Sequence, residues 1–277
     1  IFAGRLIKNI TNNKSPNWLK RRLESIGMKS INCLVDITNF INFDRGRPLH
    51  VYDANKINDK IGAREARDGE KVLALDGKDY ELKPGMCVIA DEEKVVGIGG
   101  IMGGNESGST IETKDVFIES AYFDPIKTAL AGRELNIVSD SRYRFERGVD
   151  PEYVIEGLNL ATQMILDLCG GEAGEVSIVD NLKFKPKKIT FNPKLVNKLT
   201  GIEIENDKIN KILVSLGFKV SDTWDVVIPS WRPDIYGEAD LVEEIVRIFG
   251  LDNIKSEPLL NPEQPAKPIL TKKQKQI

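Results

Sequence analysis

The sequence of 277 residues lacks the features that mark several protein classes. Its 3 cysteines are too few and too widely spaced for a disulfide framework or a CxxC zinc site, so we expect reduced thiols. It contains no run of about 18 uninterrupted apolar residues, the length that a membrane helix needs, and it does not begin with the layout of a signal peptide. We therefore expect a cytoplasmic protein without membrane contact.

A strong charge of one sign is also missing. Lysine and arginine together number 39 and aspartate and glutamate 42, which gives a formal net charge of -3. This balance argues against a protein whose main role is to coat nucleic acid, so any contact with RNA must be local.

Length and composition are those of an ordinary globular protein. Hydrophobic residues make up 41% and charged residues 29%, and the length predicts about two domains. The sequence begins at Ile1 and closes in a lysine-rich run. From these ends we expect an excised piece of a longer protein.

The glycine-rich segment at 97–104 looks suited to phosphate binding. It has neither the glycine spacing of a dinucleotide fingerprint nor the Lys-Ser or Lys-Thr ending of a P-loop, so we expect no nucleotide site in this chain. Two interpretations stay open. The glycines allow tight turns and close backbone approaches, or they admit a ligand close to the backbone.

Periodic patterns predict a mixed α+β chain. Apolar stripes between capping residues and glycines indicate helices, and Asp-Gly between two apolar runs indicates a hairpin with a type I′ turn. The predicted elements of the first part are a helix capped by Ser15 and ending at Gly27, a helix from Ile31 to Gly46, hairpins over 72–82 and 88–98, a strand at 116–118, and a helix capped by Asp150 that ends at Gly170.

A polar, proline-containing segment after Leu182 predicts a linker. We place a first domain at 1–182, a second and smaller domain at 183–257, and an extended, proline-rich exit segment at 258–277. In the second domain, two short helices and a strand pair followed by a helix over 241–249 predict a winged-helix-like module.

The chain has one histidine, His50. Any proton transfer at neutral pH would use it first, because histidine is the side chain whose ordinary pKa lies nearest to neutrality. A lone histidine is nevertheless more often structural. No serine or cysteine motif stands beside His50, so a nucleophilic triad is not expected.

Glu119 follows the apolar run 116–118. A carboxylate at the end of a buried strand must find a donor or stay near solvent, since an unpaired buried carboxylate is strongly unfavourable. It could recognise a ligand. From the residues alone, a salt bridge to Arg142, Arg144 or Arg147 is the favoured interpretation.

Four carboxylates form the densest acidic cluster of the second domain: Asp234, Asp240, Glu243 and Glu244. The last three share one helix face, where like charges repel unless a cation relieves them. Oxygen ligands of this kind suit Mg²⁺. The alternative is a solvated face on which Glu243 pairs with Arg247.

Several runs are distinctive in combination: VDITN at 35–39, GRPLH at 46–50, GGIMGG at 99–104, ESAYF at 119–123 and RFERGVD at 144–150. Together they resemble the B3/B4 region of the bacterial phenylalanyl-tRNA synthetase β subunit. PSWRPD at 229–234, with residues 238–250, resembles the B5 domain of the same subunit. The resemblance covers nearly the whole chain, in order.

This resemblance implies that the first domain hydrolyses tyrosine wrongly esterified to tRNA(Phe). It places six residues around the editing pocket: Lys29, His50, Gly103, Glu119, Ser139 and Ser141. The family commonly has arginine where Lys29 stands and Thr-Asp-Ala where Ser139-Asp140-Ser141 stands. These departures bear on binding of the RNA end and on the shape of the pocket.

The resemblance also implies Mg²⁺ at Asp234, Asp240, Glu243 and Glu244, beside the contact with a separate α subunit. That subunit would supply ATP binding and aminoacylation within an α2β2 heterotetramer. This chain would then contribute editing, and not the ligation site, to a phenylalanine-tRNA ligase.

Editing suits the chemistry of the two amino acids. An apolar synthetic pocket cannot strongly exclude tyrosine, which differs from phenylalanine by one hydroxyl, so a second site that rewards the hydroxyl is needed. Glu119 could accept a hydrogen bond from the phenol, and bound phenylalanine would leave the carboxylate desolvated and unpaired. We expect water to attack the ester carbonyl, with His50 orienting the ribose or the water.

Two other functions fit parts of the sequence, namely a stand-alone winged-helix protein that binds nucleic acid and a magnesium-dependent hydrolase. The first predicts a basic recognition helix, whereas the helix from Asp240 to Arg247 is acidic. The second needs its metal near the reacting bond, whereas the acidic cluster lies in a different domain from His50 and Glu119.

Overall fold

The computed structural model describes residues 1–256 together with residues 274 and 276. Apart from those two residues, the predicted exit segment at 258–277 lies outside the described residues. The chain divides into two compact units, one made of Ile1–Lys187 with Ile228–Ile235 and the other of Lys188–Val227 with the residues from Tyr236 onward. Both units combine helices and strands, which confirms the predicted α+β class. Within the described range, no helix is long and apolar enough to cross a membrane.

The first unit, all of which is described, contains ten strands and five α-helices. The strands are β1 (Phe2–Lys8), β2 (Leu49–Asp53), β3 (Gly62–Glu65), β4 (Lys71–Leu73), β5 (Asp79–Glu81), β6 (Cys87–Ala90), β7 (Val95–Ile98), β8 (Met102–Gly103), β9 (Val116–Ala121) and β10 (Glu172–Val179). The helices are α1 (Asn17–Ser25), α2 (Cys33–Arg45), α3 (Pro125–Glu134), α4 (Asp140–Phe145) and α5 (Val154–Cys169).

An antiparallel sheet of order β10-β1-β9-β2 forms the centre of this unit. Because side chains alternate along a strand, Ala3, Ile7 and Ile118 point to one face. There they pack with the apolar stripes of α1, α2 and α5 in one core cluster. The predicted strand at 116–118 is confirmed as part of β9, whose neighbours on both sides explain its continuous burial.

The opposite face of the sheet packs on a second antiparallel sheet of order β3-β6-β7-β8. Tyr52 and Phe117 from the first sheet meet Ile89 and Val96 from the second in another core cluster. The predicted hairpins are confirmed as β4-β5 and β6-β7. Gly77 has φ of 78°, as the turn between β4 and β5 requires.

The helix patterns are confirmed, but two predicted caps are wrong. The Ser15 hydroxyl donates to Asp36 Oδ2 at 2.5 Å, and α1 begins at Asn17 without a side-chain cap. Asp36 is fully buried and also accepts from Ser30 Oγ, so it needs the Ser15 hydroxyl as a further donor. Asp150 accepts from the backbone N–H of Glu152, upstream of α5.

The second unit combines α6 (Lys194–Thr200), α7 (Asn206–Ser215) and α8 (Glu238–Phe249) with a sheet of order β11-β13-β12. The strands are β11 (Lys188–Thr190), β12 (Lys219–Val220) and β13 (Asp225–Val227). The buried residues of this unit include Val196, Leu213 and Val226. They also include Leu241 and Ile245, which lie one turn apart on α8. These elements match the predicted winged-helix-like module.

Candidate functional site

A cavity of about 270 Å³ lies in the first unit where β2 and β9 meet α2, α4 and the glycine segment 97–104. Four of the six residues implied by the family resemblance line it, namely His50, Gly103, Glu119 and Ser141. Ser139 is not part of the lining. Lys29 is exposed in the segment between α1 and α2 and does not line the cavity.

Glu119 places a carboxylate inside this cavity with only 7% of the residue exposed. The hydroxyl of Tyr52 donates to Glu119 Oε2 at 2.6 Å. Burial raises the pKa of Glu119 to about 7, because the charged form loses solvation, and the Tyr52 hydrogen bond opposes that rise. At neutral pH the carboxyl group is therefore close to its titration midpoint.

The salt bridge expected between Glu119 and a downstream arginine is wrong. Arg142 pairs with Glu146 at 3.0 Å, Arg147 pairs with the same carboxylate at 2.8 Å, and Arg144 lies near Asp140 and over the ring of Phe43. All three arginines find partners on or beside α4, where residues one turn apart are neighbours. Glu119, on a strand of the central sheet, keeps Tyr52 as its hydrogen-bond partner.

His50 is the direct cross-strand partner of Glu119 in the β2–β9 ladder. Its ring packs edge-on against Tyr52, with 4.4 Å between ring centroids, and its Nε2 atom is buried without a hydrogen-bond partner among the described residues. Burial lowers the pKa of His50 to about 4. The imidazole is therefore neutral at pH 7 and able to donate one hydrogen bond and accept one.

Gly103 makes room for this imidazole. A Cβ atom on Gly103 would lie 2.3 Å from His50 Cε1, which no real contact allows. A Cβ atom on Gly104 would lie 2.7 Å from the carbonyl oxygen of Val96, and Gly100 has φ of +72° beside the ring of Phe123. The interpretation of the glycine run as a set of close approaches is therefore confirmed. Gly100 and Gly103 also line the cavity, and the admission of a ligand close to their backbone stays a prediction.

Ser139 and Ser141 attach the start of α4 to the glycine segment. Ser139 Oγ donates to the carbonyl of Ile101 at 2.6 Å and accepts from the backbone N–H of Arg142 as the N-cap of α4. Ser141 Oγ donates to the carbonyl of Gly100 at 3.3 Å. Both hydroxyls therefore stabilise the backbone that forms one wall of the cavity. Neither is hydrogen-bonded to His50, as an activated nucleophile would be.

Sequence reasoning missed three polar residues of the cavity. Tyr52 is one, and the others are Asn42 and Ser109, whose Oδ1 and Oγ atoms are buried without a partner. Three of the five unpartnered buried polar atoms in the described chain, including His50 Nε2, belong to residues lining this cavity. Such atoms cost free energy unless a ligand or water pairs with them. Thr38 and Asn42 form a polar stripe on α2, and this stripe is the sequence signal that could have identified Asn42.

A larger cavity of about 740 Å³ lies elsewhere in the same unit, between β1, β3 and α3. Its charged lining residues include Arg64 and Lys127, which already pair with Glu70 and Glu65. None of the unpartnered buried atoms among the described residues belongs to its lining. The unpartnered buried polar atoms therefore favour the smaller cavity as the functional site, although the other cavity has the larger volume.

Three of the four acidic residues predicted to bind Mg²⁺ have protein partners. Asp234 pairs with Arg232 at 2.6 Å, and Asp240 Oδ2 accepts from the backbone N–H groups before α8. Glu244 is buried and pairs with Arg247 at 2.8 Å, whereas Glu243 is exposed.

The predicted pair of Glu243 with Arg247 is therefore wrong, because Glu244 takes this arginine from one turn earlier at i-3. In the described chain, no three His, Cys, Asp or Glu side chains are placed together as a metal would require. Within the second unit, Asp240, Glu243 and Glu244 are not gathered as a Mg²⁺ ion would need, and the metal stays a prediction.

Two family descriptions match this chain. The B3/4 domain matches residues 1–170, and the tRNA synthetase B5 domain matches residues 189–251. A phenylalanine-tRNA ligase beta subunit of Mesorhizobium japonicum is 54% identical over 93% of this chain and 32% of the relative. That of Paramagnetospirillum magneticum is 52% identical over 98% of this chain and 34% of the relative. The chain thus spans about a third of the length of the curated relatives that it matches.

Among solved structures, an N-terminal fragment of the phenylalanyl-tRNA synthetase beta subunit from Pyrococcus horikoshii aligns with 90% of this chain and 70% of that chain. The TM-score is 0.41 at 16% sequence identity.

Proposed function

We propose a tRNA-editing function for this chain, which belongs to the B3/4 domain family and corresponds to part of a phenylalanine-tRNA ligase β subunit. In this proposal the cavity around Glu119 hydrolyses the ester that joins tyrosine to tRNA(Phe). The observation that carries it is a buried carboxylate in a cavity where three other buried polar atoms, on Asn42, His50 and Ser109, lack partners among the described residues.

Glu119 is the group that recognises the substrate. Its carboxylate accepts a hydrogen bond from the phenol hydroxyl of a tyrosyl ester. A phenylalanyl ester would displace water from the carboxylate without donating a hydrogen bond to it. The free-energy cost of the unsatisfied buried carboxylate would therefore weaken binding of the phenylalanyl ester and not of the tyrosyl ester. Hydrolysis would therefore be selective for tyrosine.

Water is the nucleophile in this proposal. The serine hydroxyls near the cavity donate to backbone carbonyls, and the neutral imidazole of His50 is positioned to orient a water molecule or the terminal ribose. Holding the water against the ester carbonyl supplies the rate acceleration through proximity, without a covalent intermediate.

The proposed partners follow from the family. An α subunit would carry out ATP-dependent ligation of phenylalanine, two copies of each subunit would form a heterotetramer, and tRNA(Phe) would deliver the mischarged ester in the cytoplasm. We also propose that Asp234, Asp240, Glu243 and Glu244 bind Mg²⁺ only in that assembly, after their side chains rearrange.

The decisive experiment measures deacylation of Tyr-tRNA(Phe) and Phe-tRNA(Phe) by the full-length β subunit assembled with its α subunit. We expect faster hydrolysis of the tyrosyl ester, and we expect Glu119→Ala to narrow the difference between the two esters. Glu65→Ala is the matched control, because it removes an exposed carboxylate that pairs with Lys127. Absence of tyrosyl hydrolysis in the parent, or full selectivity in Glu119→Ala, would refute the proposal.

A further inference from the structure

Tyr52 is a buried phenol bound to the carboxylate that is proposed to recognise a substrate phenol. Tyr52 is 1% exposed, and its hydroxyl is the only described partner of the Glu119 side chain. Its position follows from register, because Tyr52 lies two residues beyond His50 on β2 and shares a sheet face with Glu119 on β9. A diagonal contact between neighbouring strands brings the two together.

The hydrogen bond leaves half of the carboxylate available. Tyr52 occupies Oε2, whereas Oε1 has no hydrogen-bond partner in the described chain. Oε1 is also not among the fully buried unpartnered atoms, so it stays accessible from the cavity that Glu119 lines. An ionised carboxylate has about four acceptor positions on its two oxygens, so one bond to Tyr52 does not saturate it.

We propose that Tyr52 is a positioning residue for substrate selection: its hydroxyl fixes Glu119 through Oε2 so that Oε1 receives the phenol hydroxyl of the tyrosyl ester. This inference rests on the proposed editing function. The Tyr52 contact is also an internal example of the recognition that the site performs, since it is a phenol donating to this carboxylate in a desolvated setting.

Tyr52 acts on the charge of Glu119 as well as on its orientation. The titratable groups around the carboxyl are His50 and Tyr52 on β2, Cys87 on β6, and Asp140 on α4 at the edge of the cavity. His50 is neutral, burial keeps the pKa of Cys87 at about 11, and burial beside Glu119 holds the pKa of Tyr52 well above its usual value. None of these groups supplies a positive charge.

The Tyr52 hydroxyl is therefore the group that favours the ionised carboxylate against burial. Its removal raises the pKa of Glu119 further, so the ionised form that accepts the substrate phenol best appears only at higher pH.

The test compares Tyr52→Phe with the parent in single-turnover deacylation of Tyr-tRNA(Phe) between about pH 5.5 and 9, with the full-length β subunit assembled with α. We expect the enzyme concentration for half-maximal rate to rise by up to about tenfold at pH 7, because a rise of one unit in the pKa of Glu119 lowers its ionised fraction by at most that factor. We also expect the acidic limb of its pH profile to move to higher pH. Tyr80→Phe is the matched control, because the Tyr80 hydroxyl donates to Asp76 at 2.8 Å outside the cavity lining.

A double-mutant cycle separates positioning from general packing. In a Glu119→Gln background, where nothing ionises at position 119, Tyr52→Phe should no longer move the pH profile. Loss of the tyrosyl preference in Glu119→Gln alone tests the editing function itself. An editing-competent parent whose Tyr52→Phe variant keeps the same pH profile and half-saturation would overturn the role of Tyr52, and so would tighter binding in that variant, which would mean that Tyr52 competes with the substrate.

Discussion

His50 and Glu119 are paired directly across the β2–β9 ladder, yet no hydrogen bond joins their side chains. Glu119 bonds to Tyr52 instead, and the imidazole packs against Gly103 and the ring of Tyr52. Burial acts on the two groups in opposite directions, raising the pKa of the acid to about 7 and lowering that of the base to about 4. Both side chains are thereby biased toward their neutral forms.

Because Glu119 is protonated more readily in the folded protein than in the unfolded chain, the free energy of unfolding should depend on pH. Substitution of Glu119 should remove that dependence. The pKa of Glu119 is about 7 in the folded protein and about 4.5 in the unfolded chain, so its stabilising contribution is full below pH 4.5 and is lost as pH rises to 7. Glu119→Gln removes this dependence. We expect its free energy of unfolding to gain about 3 kcal/mol relative to the parent between those pH values.

Urea unfolding of the first unit at several pH values measures this difference. His50 acts in the opposite sense, since its depressed pKa makes stability fall as pH drops from 6.5 toward 4. That contribution is present in both proteins and cancels when they are compared. A constant difference between parent and Glu119→Gln across the range would show that Glu119 does not titrate abnormally.

His50→Ala should slow deacylation of Tyr-tRNA(Phe) without abolishing it. With a pKa near 4, His50 is neutral across the working range and contributes hydrogen bonds, so the loss should not exceed the roughly 10²–10⁴-fold that a general acid or base supplies. Rate measurements from pH 5 to 8 should show no inflection near 6.5 that depends on His50. Complete loss of hydrolysis with unchanged tRNA binding would instead identify His50 as an essential base.

The helices and strands that the sequence predicted correctly are those whose sequence signals come from residues close together in the chain. The helix pattern ending at Gly46 predicted α2 correctly, because its apolar stripe and the positive φ of that glycine need no distant partner. Strand β1 gave no such signal. Gly4 interrupts its apolar pattern, and the interruption is tolerated because the ring of Phe117, on the neighbouring strand β9, lies where a Cβ atom would be.

The distinction between local signals and contacts with distant residues also applies to the candidate functional site. Residue type alone singled out His50 and Glu119, but their pairing depends on strand register, which a sequence of one protein does not reveal. The bond from Tyr52 to Glu119 is a diagonal contact of the same kind. The arginines of α4 attracted the wrong interpretation because their own partners lie within one turn of helix.

Gly103→Ala should damage both stability and editing. The added methyl group would meet the His50 ring at 2.3 Å, so the imidazole must move out of its position beside Tyr52. Overpacking of this kind costs about 1–3 kcal/mol. Gly62→Ala is the matched control, because a methyl group at Gly62 would meet no atom within 4 Å and the φ of Gly62 is not positive. Equal effects of both substitutions on unfolding and on deacylation would show that His50 does not depend on the space at Gly103.

The last prediction concerns the acidic residues of the second unit. Asp240→Ala combined with Glu244→Ala should weaken association with the α subunit while leaving the first unit folded. Association should depend on Mg²⁺ in the parent and lose that dependence in the double variant, because Mg²⁺ binds through carboxylate oxygens and retained waters. Sedimentation of mixed subunits in Mg²⁺ and in EDTA measures both quantities.

The protein partners of these carboxylates require that the metal and the helix be tested separately. Asp240 accepts from the backbone N–H groups of Tyr236 and Gly237 and stabilises the start of α8, a role whose loss costs about 1 kcal/mol whether or not metal is present. Asp240→Asn keeps an oxygen acceptor for those groups but removes the charge that Mg²⁺ requires. Parent-like, Mg²⁺-dependent association of Asp240→Asn would assign Asp240 to helix capping alone, and association of the parent that is unaffected by EDTA would remove the metal from the interface altogether.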